Sequence, residues 1–299
     1  MMSDDPTELL KKHGKTFNFA RLFLGSETGL AAARLYRFCR IVDDIADESP
    51  DPKVAKLNLD DLKNSITQNT ASHLVVKDFL RLCEEYDINR NHGITLIDGV
   101  SQDLNPVVLP STETLIQYAF KVAGVVGLMM APILGAKKEG HAFAIDLGIG
   151  MQLTNIARDV LEDAKMERRY IPGELVNTLS ASQIQLASLE HRHQIQDAIK
   201  VLLNLAEEYY QSGLAGLYYL PPRNRQAIAV AAYVYRDIGR KLLKNGCRYW
   251  EGRIFVSKPR KISLASQALW HLKTSVIASH ETEHQNKLHR YLQCEFFSE

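Results

Sequence analysis

The chain has 299 residues, 45% of them hydrophobic and 24% charged, with a formal net charge of +1. That composition suits an ordinary folded protein with room for a sizeable core. A charge so near zero excludes a global field that would draw nucleic acid or an acidic membrane surface, so any anion site has to be local.

Along the chain, the opening MMSDDPTELLKKHGK is acidic and then basic with no apolar run, which is unlike a secretory signal. From there apolar residues recur at three- and four-residue intervals, and almost nothing alternates with period two. The spacing predicts helices near 28–47, 54–68, 73–86, 92–103, 112–135, 139–163, 183–219, 223–244 and 264–284. Breaks fall at SPDP (49–52), DLNP (103–106), GAKKEG (135–140), YIPG (170–173) and LPPRN (220–224), each carrying Pro or Gly. Ser111, with Glu113 and Thr114 behind it, reads as a helix start and Gly135 as a stop. With no repeat and no long linker, the expectation is one all-α domain over residues 1–299. The longest apolar run, VAGVVGLMMAPIL at 122–134, falls short of the roughly twenty residues that a bilayer span needs. Cys39, Cys83, Cys247 and Cys294 lie far apart without a CxxC pair, which predicts a reduced, cytoplasmic chain with neither a disulfide frame nor a structural zinc site.

Two stretches stand out chemically. In YRFCRIVDDIAD (36–47), Tyr36, Arg40, Asp43 and Asp47 fall within about 60° of one another on a helix, while Asp44 points roughly 100° away. In QLTNIARDVLED (152–163), Gln152, Asn155, Asp159 and Asp163 form a second stripe with Arg158 beside it and apolar residues on the other sides. Ionised carboxylates in two apolar helices are costly unless a cation sits between them. Hard oxygen ligands of this kind suit Mg²⁺, which keeps open positions for substrate phosphates, and the adjacent arginines suit phosphate oxygens. The competing reading is two solvated acidic faces paired with their own arginines.

At these residues the sequence resembles the squalene and phytoene synthase family. YRFCRIVDDIAD looks like its first aspartate-rich motif and QLTNIARDVLEDAKMERRYIP (152–172) like its second. HGKTF (13–17) is similar to its N-terminal substrate loop, Tyr118 with VAGVVG (122–127) to its central helix, and Tyr235, Ile238, Gly246, Arg253 and VSKPRK (256–261) to its C-terminal pattern. The resemblance implies an isoprenoid synthase helical bundle with a central cavity. It implies head-to-head condensation of two prenyl diphosphates through a cyclopropyl diphosphate. By position, Asp43, Asp47, Asn155, Asp159 and Asp163 would hold Mg²⁺, with Mn²⁺ as a substitute. Arg40, Gln152, Arg158 and Arg253 would hold diphosphate, and His13, Lys15, Thr16 and Phe17 would form the substrate loop. Tyr36, Tyr118 and Tyr235 would line the reaction centre, and Val122, Val125, Val126, Leu128, Met129 and Met130 would supply tunnel surface. One departure is Glu167-Arg168-Arg169-Tyr170, where many members carry Gly-Arg-x-Tyr.

NIARD within the second motif favours geranylgeranyl diphosphate as substrate and phytoene as product. The alternative is a C30 product from farnesyl diphosphate, with NADPH needed only for squalene. No Gly-rich dinucleotide fingerprint is visible, and no hydrophobic anchor follows residue 284. An apolar product further implies peripheral association with the inner membrane for its release. Two rivals compete: a non-catalytic assembly factor of the same fold, and a zinc protease built on HETEH (280–284). The stretch around HETEH is polar all round and reads as a solvated helix end.

Overall fold

The computed structural model describes residues 5–70, 73–278 and 280–292, so Cys294 lies outside the described residues. Among them there are helices but no strand, only an isolated bridge between Val108 and Arg169. The all-α expectation holds.

The chain opens with two short helices that the periodicity did not reveal, α1 (Pro6–His13) and α2 (Lys15–Arg21). Asp5 accepts the Thr7 N–H to cap α1, and Pro6 takes a first-turn position where no N–H is needed. The expected loop at 13–17 is therefore a helical corner turning at Gly14. Next come α3 (Ser26–Glu48), α4 (Pro52–Thr67) and α5 (Leu74–Tyr86), close to their predicted bounds. Phe38 of α3 stacks on Phe79 of α5 with ring centroids 4.0 Å apart, and Arg34 and Arg37 both bind the Asp78 carboxylate. Helix α6 (Asn91–Val100) tightens into a 3₁₀ turn ending at Leu104.

The predicted helix 112–135 is interrupted. α7 (Thr112–Ala119) starts in a capping box between Ser111 and Thr114, as the sequence suggested. A π-helical turn over Phe120–Gly124 follows, then α8 (Val125–Ile133), and Gly135 stops the run at φ +68°. By length and composition Thr112–Ile133 would suffice to cross a membrane, at mean hydropathy 1.5; here it packs against other helices as a core element. The predicted helix 139–163 likewise divides into α9 (His141–Arg158) and α10 (Val160–Lys165) at Asp159. Its N–H still reaches Asn155 O at 2.9 Å and its carbonyl accepts from Asp163 N–H at 2.8 Å, so the polar stripe continues through the break.

After α11 (Ala181–Gln185), Ser188 caps α12 (Leu189–Ala215), which splits the predicted 183–219 in two. α13 (Pro222–Lys244) agrees with its prediction. The last helix was misplaced: α14 spans Lys258–Lys273, and Ser275 and Ala278 then adopt left-handed backbone that ends helical growth. The HETEH stretch is thus not helical, which removes the geometry a zinc protease requires.

Helix α9 lies backbone against backbone on α8 and on the π-helical turn before it because glycines face each way. A Cβ on Gly127 would sit 2.2 Å from the Ala144 carbonyl oxygen, and one on Gly148 would sit 2.3 Å from that of Ala123. Neither neighbour can yield without moving a helix. Gly148→Ala is expected to destabilise the protein by about 1–3 kcal/mol through overpacking, measured by denaturant unfolding.

Candidate active site

The stripe on α3 and the stripe on α9–α10 line one chamber of about 300 Å³. Asp43, Asp47, Asp159 and Asp163 all border it, together with Arg40, Arg158, Arg253, Gln152, Asn155 and Tyr118. The two motifs, more than a hundred residues apart in sequence, therefore meet. Asp47 sits at the exposed rim rather than inside, with 39% of its side chain open to solvent.

Three of the aspartates on these helices, Asp159, Asp47 and Asp44, have an arginine partner. Arg158 binds Asp159 through two bonds of 2.7 and 2.5 Å, and Arg253 reaches the same carboxylate at 3.0 Å. Arg168 spans the mouth, donating to Asp47 at 2.8 Å and to the Asp103 carbonyl at 3.1 Å. Arg40 pairs with Asp44, one turn along α3. That pairing explains the third aspartate: Asp44 turns away from the chamber and holds the arginine.

The arginines do not neutralise everything. Burial, reinforced by Asp47, pushes Asp43 up to about 7. Burial and the Asp159 charge push Asp163 up to about 8. Asn155 Oδ1 is buried and accepts no hydrogen bond. A chamber with reluctant carboxylates and a spare amide oxygen, rimmed by arginines, has the donor set for a hard divalent cation bridging to an anion.

A second, apolar chamber of about 300 Å³ adjoins the first. Asp43, Val122, Gln152 and Asn155 border both, so the polar space opens directly onto the apolar one. Val122 lies in the π-helical turn, which re-aims the helix at this junction. Val126 and Met130 continue the apolar wall as expected, whereas Val125, Leu128 and Met129 face the core instead. Tyr36, Tyr235 and Phe17 cluster at the entrance, with the Phe17 ring 5.3 Å from Tyr235 and 6.4 Å from Tyr36. Burial raises the Tyr36 hydroxyl to about 12, so it stays protonated. A Cβ on Gly14 would come within 3.0 Å of the Tyr36 ring, so the N-terminal corner closes directly over that tyrosine. His13, Lys15 and Thr16 border neither chamber.

The family model for squalene/phytoene synthase matches residues 10–260. The chain belongs to that family. A 15-cis-phytoene synthase from Enterobacter agglomerans is 32% identical over 278 residues, covering 89% of this chain and 94% of that protein. A phytoene synthase from Thermus thermophilus is 34% identical over 239 residues, covering 80% and 82%. Among solved structures, a dehydrosqualene synthase in complex with ligand superposes with TM-score 0.80 at 25% identity, covering 90% of this chain and 95% of that one. The architecture is the isoprenoid synthase helical fold.

The departure at Glu167 from the glycine that many family members carry has a structural account. Glu167 takes φ +59°, the left-handed conformation a glycine would adopt freely, and the flap forms nonetheless. It delivers Arg168 to the mouth and Tyr170 to Asp103. Asp103 itself was missed: the sequence offered it only as part of a helix break, DLNP. Its carboxylate accepts from Tyr118 and Tyr170, each at 2.8 Å, and the two rings stack with centroids 5.0 Å apart. Tyr118 is thus anchored in the polar chamber, away from the aromatic entrance. Burial pushes Asp103 up to about 6, against the pull of its two tyrosine hydrogen bonds.

Asp43 and Asp163 both titrate higher in the folded chain than the usual carboxylate value of 3.8, so the folded state retains protons the unfolded state has released. In chelator, stability contributed by these groups should fall as pH rises from about 4 to about 8. Thermal melts across that range should show the decline, and Asp163→Asn should flatten it.

Proposed function

We propose that this protein condenses two prenyl diphosphates head to head, with geranylgeranyl diphosphate as substrate and phytoene as product. The observation that carries this reading is the junction: an acid-and-arginine chamber opening through Asp43, Val122, Gln152 and Asn155 onto an apolar chamber. A diphosphate fits the first space and an isoprenoid tail the second. Names borne by the relatives from Enterobacter agglomerans and Thermus thermophilus support the C40 product. The dehydrosqualene synthase likeness keeps the C30 product as the alternative, and NADPH would enter only if that product were reduced to squalene.

Asp43, Asp47, Asn155, Asp159 and Asp163 would hold Mg²⁺, or Mn²⁺ in its place. When bound, the metal supplies positive charge to the departing diphosphate. Arg158 and Arg253 converge on Asp159 and border the polar chamber with Arg40 of α3, so all three guanidinium groups would be available to phosphate oxygens there. Arg168 lies across the mouth and can close behind the leaving group. The apolar wall keeps water from the allylic cation. Tyr36 and Tyr235 border that wall at its polar end, where their ring faces can stabilise positive charge. Buried and protonated, Tyr36 does so without becoming a nucleophile.

Because metal must displace protons held by Asp43 and Asp163, Mg²⁺ affinity should rise between about pH 6 and pH 8.5 with proton release. Calorimetry in buffers of differing ionisation enthalpy checks this. Incubation with geranylgeranyl diphosphate and Mg²⁺ should yield a C40 hydrocarbon without NADPH. Only C30 hydrocarbon, formed from farnesyl diphosphate, would refute the substrate assignment; no diphosphate release from either would favour an assembly role. Asp159→Asn should lower turnover by about 100-fold or more while helical circular dichroism is retained.

A further inference from the structure

The HETEH stretch is not a solvated helix end. His284 and, five residues on, His289 both turn inward onto Asp146 of α9. His284 Nε2 lies 2.7 Å from Oδ2, and His289 Nε2 lies 2.7 Å from Oδ1. The Asp146 side chain is fully buried and each imidazole is only 10% exposed. All three ligand atoms fall within 4.8 Å of one another.

The surroundings orient these groups. Ser212 Oγ of α12 donates to Asp146 Oδ2 at 2.5 Å, and the Phe143 ring meets His284 edge-on at 5.2 Å. Burial alone would raise Asp146, but hydrogen bonds from His284 and His289 hold it below the usual carboxylate value, so it stays ionised. A cavity of about 350 Å³ adjoins the cluster, bordered by Ser212, Glu208, Glu283, Gln285 and Lys287. Two of the bordering residues, Glu208 and Glu283, are acidic, and Ser212 separates this space from the Asp146 carboxylate.

We propose that Asp146, His284 and His289 form a second metal site, apart from the aspartate chamber, for a zinc-class transition cation. Two imidazole nitrogens and one carboxylate oxygen are a donor set that suits zinc and poorly suits Mg²⁺. A fourth ligand, such as water, would complete the tetrahedron. To bind, each imidazole presents an unprotonated Nε2, with its proton carried on Nδ1 or, from a doubly protonated ring, released to solvent, and the ligand atoms move apart to allow Zn–N distances near 2.0–2.1 Å. Ser212 and Phe143 fix the ligand orientations, as supporting groups do around metals. The site pins the C-terminal segment to α9, and two bonds from α12 and the turn after it hold the same segment: the Tyr209 hydroxyl donates to the Leu288 carbonyl at 2.7 Å and that of Tyr219 to the Thr282 carbonyl at 3.0 Å. The inference stands independently of which prenyl substrate is used.

The test is metal content, not turnover. Protein stripped with chelator is given Zn²⁺ or Co²⁺ in excess Mg²⁺, then desalted and assayed by mass spectrometry and by visible absorption of Co²⁺. Untagged protein should retain about one zinc per chain and show a tetrahedral Co²⁺ spectrum. His284→Gln and His289→Gln keep a donor for Asp146, so a clasp held only by hydrogen bonds would survive them. The metal site predicts that each loses the Co²⁺ spectrum and about tenfold or more in zinc affinity. His280→Ala and Asp159→Asn should both retain the metal. Absence of zinc from the unmodified protein, or its retention in both glutamine variants, overturns the proposal and leaves a hydrogen-bonded clasp.

Discussion

Electrostatic repulsion among carboxylates is the constraint around which the rest of this molecule is organised. Asp43, Asp47, Asp103, Asp159 and Asp163 border one chamber, and burial forces three of them, Asp43, Asp103 and Asp163, toward neutral pH. Four arginines stand among them, yet none makes an ion pair with Asp43 or Asp163. Arg158 and Arg253 converge on one carboxylate, Arg168 holds the rim and Arg40 is anchored by Asp44. The imbalance is local to the inner pair, Asp43 and Asp163. A chain selected only for stability would have replaced those residues, because unpaired buried charge is among the costliest features a fold can carry. Their presence fits a site whose charge balance is completed by what it binds.

The fold serves that site by holding two kinds of space side by side. α9 is the shared wall: Gln152 and Asn155 face both chambers, while Gly148 lets the helix lie against the π-helical turn at backbone distance. The π-helical turn at Phe120–Gly124 brings Val122 to the same junction from the opposite side. A regular helix through 112–135 would rotate everything after the turn by about 100° and carry Val126 and Met130 away from the cavity. Local irregularity here is what directs an apolar helix face onto the polar site.

Polar anchoring is not confined to the two aspartate stripes. Asp103 gathers Tyr118 and Tyr170 from distant segments, and so fixes the flap after the second motif. Asp146 gathers His284 and His289 in the same manner on the outer side of α9. In each case one buried carboxylate organises two long-range partners, and burial of the acid is tolerated because both oxygens are satisfied.

The sequence alone determined the all-α class, most helix bounds and the two acid stripes, because periodicity and i, i+4 geometry are local properties. It also supplied the arginines beside those stripes and the family. It did not reveal α1 and α2, which are too short for periodicity to register, nor the left-handed residues that stop α14 early. Asp103 and Asp146 were invisible for a different reason: their partners lie 15 to 143 residues away, and nothing near them in sequence marks the pairing. His13, Lys15 and Thr16 show the converse, a local match that the fold leaves outside both chambers. Which carboxylates share a space, which arginine each one meets and which face of an apolar helix looks into a cavity were decided only by tertiary packing. Those are distances between segments, and local sequence encodes only the segments.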